Sequence, residues 1–377
     1  MIAGEKLIGA DAQPDIFAGR EGNKVKERLQ EVFVLRSIAC LSIGLLHSIN
    51  KIYDDPSETV NVIRLILSFG TPAFVFISEM VLSHAYPDGV PRGFWTKRVK
   101  YILVPYVVFG FVHALGEAVL EAEGALIPAF LKYSVQYILL GDFALYFILI
   151  IFQFYLLHAF VAPKVFSRFS AKTVLSVSLV VSMSYWAFFN FVPRFPIPFA
   201  EYVYTRFFML PFVGWSFYFA LAWYCGRRYR ELIALLNRWR VAVWLAFAAS
   251  GAWMIGNLLT DTITAVSSKR LDMVLFATSA SLFVLHVASR ARRIHPFWVK
   301  TSQISFGLFL VHPVLYGILE LVLFRLPGMR GTPLGAAVLF ATGMSLSAWA
   351  VLTAYRFPGG NYVVGRIGPG LTVLRPQ

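Results

Sequence analysis

Arg36 and His47 are the two residues whose types and spacing most directly indicate chemistry in this chain. They lie on the first apolar segment, residues 32–50, with ten residues between them. In a helix, eleven steps of about 100° return His47 nearly to the azimuth of Arg36, about 16 Å further along the axis. The imidazole of His47 can transfer a proton, and the guanidinium of Arg36 can stabilise a developing oxyanion. Because an ionisable group is costly to hold inside a membrane, the pair indicates a functional site; the alternative is a histidine bonded to the backbone of a neighbouring helix.

Glu79 is a further ionisable residue within an apolar segment, residues 62–85. Gly70 and Pro72 interrupt this segment, and the carboxyl group follows deep in the span. Such a group must be paired, protonated or hydrated. We expect its partner to be a cation or the imidazole of the first segment, and a protonated carboxyl in one structural hydrogen bond is the alternative.

A basic cluster, Lys97, Arg98 and Lys100, leads into the third apolar segment and is accompanied by Trp95 and Tyr101. A cluster of this kind is often an anchor for anionic lipid headgroups that also sets the topology. It is equally suited to a polyanionic ligand, because guanidinium and ammonium groups donate charge-assisted hydrogen bonds to phosphates.

Three further residues are candidates for the lining of a substrate cavity. His312 lies within a late apolar segment, where it either faces the same cavity as His47 or packs against neighbours. Asp142 and Arg206 lie close to the expected outer surface and are candidates for contact with a carbohydrate acceptor. The remaining histidines near segment ends are expected to be ordinary amphipathic rings. They are His84, His113, His158 and His286.

The composition indicates an all-α polytopic membrane protein. Hydrophobic residues make up 58% and charged residues 14% of the 377 positions, which leaves more apolar surface than a soluble core of this length can hide. About ten segments are long enough to cross the hydrocarbon layer, which takes roughly 20 residues. They are residues 32–50, 62–85, 99–120, 143–162, 173–192, 204–225, 241–259, 271–289, 299–322 and 334–356.

Charge between the segments predicts the orientation, since cytoplasmic loops retain Lys and Arg. Basic residues concentrate at 20–28, 92–100, 164–172, 227–240 and 290–300, and the alternate loops are mixed or acidic. Both termini are therefore expected in the cytoplasm. The predicted organisation is a tail at 1–31, a transmembrane domain at 32–357 and a second tail at 358–377. The net charge of +14 follows from this bias and does not indicate binding of nucleic acid. The two cysteines have no metal-binding spacing.

Four stretches, in order along the chain, carry a resemblance to a known family. They are the Arg36 to His47 spacing, residues 70–78, residues 97–106 and residues 304–313. Together they resemble acyltransferase family 3, whose members are multipass membrane O-acyltransferases of cell-surface and exported glycans. Within the family the chain is most similar to the exopolysaccharide-modifying branch that includes enzymes of intercellular-adhesin polysaccharide.

The resemblance implies a transmembrane acyltransferase domain in a bacterial cytoplasmic membrane. It implies that His47 is catalytic with Arg36 as its companion, and that Arg98 with Lys97 or Lys100 holds the phosphates of acyl-CoA. Acetyl-CoA or succinyl-CoA is the expected donor, no metal is expected, and membrane lipid, a carbohydrate acceptor and a polysaccharide synthase or export complex are the expected partners. Two departures stand out: Tyr101 replaces an arginine that is frequent in the family, and Glu79 replaces a common glycine. Glu79 is therefore either a catalytic residue peculiar to this protein or the lining of a wider cavity.

Two other functions remain open from the residues. A transporter or flippase of a glycan or lipid-linked glycan would also have about ten spans, broken helices and buried charges, although it would more often show an internal repeat. A structural partner of a polysaccharide synthase is the third possibility, and the desolvation of Arg36, His47 and Glu79 disfavours it.

Overall fold

The structure is a computed structural model that describes residues 29–121, 125–196 and 198–367. The basic N-terminal tail predicted from the sequence falls almost wholly outside these residues, and so does the end of the predicted C-terminal tail, residues 368–377. The described residues form helices and no strand, so the predicted all-α polytopic fold is confirmed.

Sixteen α-helices are present in the described ranges. They are α1 (Gln30–Ile52), α2 (Glu58–Leu67), α3 (Gly70–Ala85), α4 (Phe94–Arg98), α5 (Val104–Glu121), α6 (Leu126–Leu140), α7 (Phe147–Leu156), α8 (Ala162–Val165), α9 (Ala171–Phe191), α10 (Ala200–Thr205), α11 (Ser216–Arg227), α12 (Tyr229–Arg238), α13 (Arg240–Leu259), α14 (Leu271–Ser289), α15 (Pro296–Leu323) and α16 (Pro333–Arg356). Short 3₁₀ turns lie at Phe207–Met209, Phe212–Trp215 and Gly360–Tyr362. Two π-helical turns, Val99–Leu103 and Leu157–Val161, connect α4 to α5 and α7 to α8.

Within the described ranges, nine continuous stretches are long and apolar enough to cross a membrane, and a tenth is broken. The broken one joins Ala200–Met209 to Phe212–Arg227 with a bend of 40°. These stretches coincide with the ten predicted segments, which differ from them by a few residues at the ends.

Helix α6 lies in a region that the sequence pattern assigns to a loop. Its 15 residues are apolar but too few to cross the hydrocarbon layer, so a rule based on spanning length passes over them. The hydroxyl of Tyr106 in α5 donates to the carbonyl oxygens of Tyr137 and Ile138 at 2.9 and 3.0 Å, and these bonds hold the end of α6 against α5.

Helix α1 is the central element, because it packs against α3, α14, α15 and α16. Polar side chains of α1 bond directly to the backbones of its neighbours. The Ser37 hydroxyl donates to the Trp298 carbonyl at 2.6 Å, and the Ser48 hydroxyl donates to the Ala336 carbonyl at 2.6 Å. Lipid tails are as apolar as the packing surfaces, so such bonds and close contact hold transmembrane helices together.

The break between α2 and α3 lets α3 approach α1 closely. Gly70 is the first residue of α3, and a Cβ atom built on it would lie 2.8 Å from the carbonyl oxygen of Ala39 and 2.8 Å from Cγ1 of Ile43. Ala39 and Ile43 lie on α1 between Arg36 and His47. The glycine therefore sets the distance between α3 and the part of α1 that carries both ionisable side chains.

Replacement of Gly70 by alanine is expected to lower the stability of the bundle by about 1–3 kcal/mol, because the new methyl group collides with the backbone of α1. Thermal unfolding of the protein in detergent measures the effect. Gly116→Ala in α5 is the matched control, since nothing lies within 4 Å of a Cβ at that position. Equal melting temperatures for the two variants would contradict this account of Gly70.

Candidate active site

His47 and His312 come together from α1 and α15. Their ring centroids are 5.3 Å apart, with the two planes at 62°. Nδ1 of His312 is 2.8 Å from the Leu308 carbonyl oxygen, and because a carbonyl only accepts, Nδ1 carries the proton of that bond. Nε2 of His312 is buried and has no hydrogen-bond partner among the described residues. In the neutral ring, Nε2 is therefore a vacant acceptor beside His47.

His47 is half-buried although it lies on the central helix. It forms no hydrogen bond with any residue of the described ranges, so the alternative of a histidine bonded to a neighbouring backbone is not observed. The structure thus brings His47 and His312 to one place.

Three more charged or titratable side chains lie near His47, and none of them was predicted to do so from the sequence. His113, Lys51 and Lys269 all lie within electrostatic range of His47. The Lys51 ammonium forms an ion pair with Glu320 at 2.7 Å, and the Lys269 ammonium lies 4.8 Å from the centre of the Tyr146 ring. No pattern in the sequence indicates that these residues meet, because they come from α5, the end of α1 and the loop before α14.

The loop that carries Lys269 is held firmly. Arg270 is fully buried and pairs with Asp272, with Nε to Oδ1 at 2.9 Å and Nη2 to Oδ2 at 2.6 Å. Its guanidinium also donates to the carbonyl oxygens of residues 254, 263 and 265. The amide of Asn190 bonds to the Lys269 carbonyl at 3.1 Å and to the Leu271 N–H at 3.0 Å. A buried ion pair is tolerable when further hydrogen bonds satisfy its polar atoms, and here every N–H group of the Arg270 guanidinium has an acceptor.

The opposite end of the bundle holds a second buried pair, formed by Glu79 of α3 and His158 of the π turn after α7. Nδ1 of His158 lies 2.7 Å from Oε1 of Glu79, and Nε2 of His158 donates to the Tyr86 carbonyl at 3.2 Å. Both side chains are almost completely buried. The partner of Glu79 is therefore His158 and not the imidazole of the first segment, so that part of the expectation is wrong, and His158 is no ordinary ring at a span end. Oε2 of Glu79 has no hydrogen-bond partner in the described structure, which agrees with the alternative of a carboxyl in one structural hydrogen bond. One feature of the sequence could have indicated this pairing. Glu79 and His158 each lie roughly two helical turns before the same end of their spans, so both side chains lie at a similar depth in the bundle.

Arg98 faces inward from α4. Its guanidinium lies over the rings of Phe94 at 4.7 Å and Tyr155 at 4.8 Å, and the side chain is buried. Lys97 is half-buried and Lys100 is exposed on the π turn that comes after it. The three predicted phosphate ligands therefore do not all face one enclosed space.

Tyr155 connects the two arginines of this end. Its hydroxyl lies within electrostatic range of Arg98, Arg36 and Glu79. The half-buried Arg36 is thus brought to the inner group of Arg98, Tyr155, Glu79 and His158, while His47 belongs to the histidine group at the other end of α1. Neither Tyr155 nor His158 was predicted as a site residue from the sequence.

Asp142 and Arg206 pair with each other, with Oδ1 and Nε 3.1 Å apart. The contact is an ion pair without the alignment of a hydrogen bond, since Oδ1 has no hydrogen-bonded partner in the described structure. Burial raises the pKa of the Asp142 carboxyl, and the Arg206 guanidinium opposes that shift. Arg206 remains exposed, so a charged group is available to a ligand at this surface.

No three His, Cys, Asp or Glu side chains of the described residues are placed to hold a metal ion. The chemistry available to the described residues is proton transfer at His47 and His312 together with anion binding at Arg36, Arg98 and the lysines.

A family model described as acyltransferase domain matches residues 30–353. The chain belongs to acyltransferase family 3. The Bacillus subtilis protein YfiQ, named provisionally as a membrane-bound acyltransferase, is 37% identical over 350 residues, which cover 90% of this chain and 95% of the relative. A Staphylococcus aureus protein, named provisionally for the export of poly-β-1,6-N-acetyl-D-glucosamine, is 27% identical over 298 residues, with coverage of 77% and 83%. A Staphylococcus epidermidis protein of the same name is 26% identical over 309 residues, with coverage of 77% and 82%. No solved structure gives a significant match.

The resemblance carried by the four motifs is therefore confirmed, including its polysaccharide branch. The chain is a multi-pass membrane protein of an acyltransferase family, and its relatives are named either for acyl transfer or for polysaccharide export.

Glu79 and His158 are expected to be strongly coupled in a double-mutant cycle with Glu79→Gln and His158→Gln. Removal of one partner leaves the other buried without its counterpart, at a cost of about 3–5 kcal/mol, so the double variant should lose less stability than the sum of the two single variants. Thermal unfolding in detergent measures all four proteins. Additive losses would contradict a direct interaction between these side chains.

Proposed function

We propose that this protein transfers an acetyl or succinyl group from acyl-CoA to a hydroxyl of a cell-surface or exported polysaccharide, or of its lipid-linked precursor. The proposed location is the bacterial cytoplasmic membrane. The observation that carries the proposal is the His47 and His312 pair, in which an unbonded imidazole on α1 meets a vacant Nε2 acceptor on α15 in a member of this family.

In this mechanism a ring nitrogen of His47 takes the proton of the acceptor hydroxyl as the oxygen attacks the thioester carbonyl. The new C–O bond forms, the C–S bond breaks, and the proton passes from the imidazolium to the departing thiolate, which leaves as free CoA thiol. Nε2 of His312 accepts a hydrogen bond from the imidazolium and stabilises it between the two steps. A transient acyl group on His47 is the variant mechanism, since imidazole is also a nucleophile.

The donor enters from the end that carries Arg98. The Arg98 guanidinium stacks on two aromatic rings, which fix its orientation. Its in-plane N–H groups can donate hydrogen bonds to a phosphate, and so can the ammonium group of the half-buried Lys97. Arg36 lies further along α1 and serves the pantetheine arm or the developing oxyanion. Glu79 acts through His158, its buried partner, and holds the inner wall of the site rather than exchanging a proton with His47.

Polysaccharide export is the second candidate function, because the staphylococcal relatives carry that name. The broken span of Ala200–Met209 and Phe212–Arg227 agrees with it, since discontinuous helices are common at the substrate sites of transporters. A transporter, however, needs no cytoplasmic coenzyme, so turnover of acyl-CoA distinguishes the two functions.

His47→Ala is expected to abolish release of CoA thiol from acetyl-CoA or succinyl-CoA, because the proposed mechanism loses its base. The rate should fall by at least about 100-fold, the usual contribution of a positioned general base. The measurement is thiol release by purified protein in liposomes with crude glycan as acceptor. Cys40→Ala is the matched control, because Cys40 lies on the same face of α1 between Arg36 and His47. Turnover by His47→Ala at the wild-type rate would overturn the mechanism. Absence of turnover in the wild type, together with movement of a labelled lipid-linked sugar, would favour export.

Arg98→Ala is expected to raise KM for acyl-CoA by about tenfold, because one or two charge-assisted hydrogen bonds to the phosphates are lost. The value of kcat should change less. Lys100→Ala should change KM little, since that side chain is exposed on the π turn. Initial rates over a range of acyl-CoA concentrations separate the two parameters. A larger effect at Lys100 than at Arg98 would show that the phosphates bind at the surface of the turn.

A further inference from the structure

A small cavity lies between α13 and α14 at their Arg-rich ends. Its volume is about 290 Å³, and its lining consists of Arg240, Trp244, His286, Val287 and Arg290. None of these residues belongs to the candidate active site.

Two cations at this cavity are not neutralised by the protein. Arg240 is the first residue of α13 and Arg290 immediately follows α14, and both side chains are exposed. Neither forms an ion pair with a residue of the described ranges, and the acidic residue of the preceding helix, Glu231, pairs with Arg228. Two guanidinium groups beside one cavity produce a positive potential that suits an anion.

Two further features extend the polar side of the cavity. Nδ1 of His286 is buried without a hydrogen-bond partner in the described structure, although the residue lines the cavity. Helix α13 begins at Arg240 without a side-chain cap, so the positive end of its dipole faces the same region.

The other side of the cavity is apolar and faces outward. Trp244 is 53% exposed, Val287 is 45% exposed, and Val241 and Leu245 of α13 are exposed to 65% and 64%. The indole of Trp244 packs edge-on against Phe283 at 4.7 Å, which fixes its position. Because α13 is the least buried of the nine continuous stretches in the described ranges, these side chains border the hydrocarbon of the membrane.

We propose that this cavity binds the phosphate headgroup of an anionic phospholipid, with Arg240 and Arg290 on the phosphate and the acyl chains along Trp244 and Val287. Basic pockets between transmembrane helices are typical sites for such headgroups. A free phosphate would satisfy the arginines but would leave the exposed apolar side chains unused, so the combination of both surfaces favours a lipid.

The test is native mass spectrometry of the full-length protein in detergent, titrated with phosphatidylglycerol or with phosphatidylcholine of the same chain length. The double variant Arg240→Gln with Arg290→Gln removes both guanidinium groups. Arg292→Gln with Arg293→Gln is the charge-matched control, because these arginines follow α14 but do not line the cavity. Arg240→Lys with Arg290→Lys keeps the charge and removes the planar fork.

The proposal expects saturable binding of phosphatidylglycerol by the wild type and by the control variant, and affinity about tenfold or more lower in the Arg240→Gln, Arg290→Gln variant. The lysine variant should fall between them. Equal affinity in all four proteins would overturn the proposal, as would equal binding of phosphatidylcholine.

Two more measurements separate the remaining outcomes. Tighter binding of inorganic phosphate than of phosphatidylglycerol at this cavity would assign it to a soluble phosphate and overturn the lipid. The melting temperature without lipid shows whether the glutamine variant folds. If it does not fold, the lysine variant and the salt dependence of wild-type binding test the proposal instead. Lipid affinity that is unchanged in the lysine variant and unaffected by salt would then contradict the proposal.

Discussion

Helix α1 carries a guanidinium and an imidazole through the membrane, and the rest of the structure depends on shielding that helix from lipid. Four helices, α3, α14, α15 and α16, surround it. The contact is close because Gly70 has no side chain to hold α3 away, and because Ser37 and Ser48 bond to neighbouring backbones. Both ionisable groups are half-buried on this helix, which lowers the cost of holding them within a membrane span.

The ionisable groups of the bundle are satisfied in two different ways. Arg270 with Asp272, and Glu79 with His158, are buried pairs whose partners come from the protein itself. The half-buried His47 and the buried Nε2 of His312 lack such partners among the described residues. Pairing is not complete elsewhere, since Oε2 of Glu79 and several other buried polar atoms also have no hydrogen-bond partner in the described structure. The His47 and His312 pair differs from them because two imidazoles from different helices meet there, and a vacant acceptor beside a second imidazole is a place where a substrate group can be received.

The sequence predicted the spans and the family, because these depend on apolar length and on the order of motifs along the chain. It left open whether His312 faces the same cavity as His47 or packs against neighbours. It missed α6, whose 15 residues are too short for a spanning rule. It also missed the partner of Glu79. His158 lies in a π turn, and Lys100 lies in another. A π turn inserts one extra residue into the helix and rotates the residues after it, so an azimuth calculated from regular helical geometry is no longer valid there. Contacts between distant spans, such as Lys269 with Tyr146, leave no local pattern at all.

The position of Arg36 and His47 on one unbroken helix has an electrical consequence for the proposed reaction. Neither charge has to move through the membrane field during turnover, and the proton taken from the acceptor leaves on the thiol. Transfer of a neutral acetyl group is then electroneutral and independent of the membrane potential. A succinyl group carries one negative charge, and moving that charge fully across 100 mV changes its free energy by about 2.3 kcal/mol. With the same fold, transfer from succinyl-CoA would thus depend on the membrane potential, whereas transfer from acetyl-CoA would not.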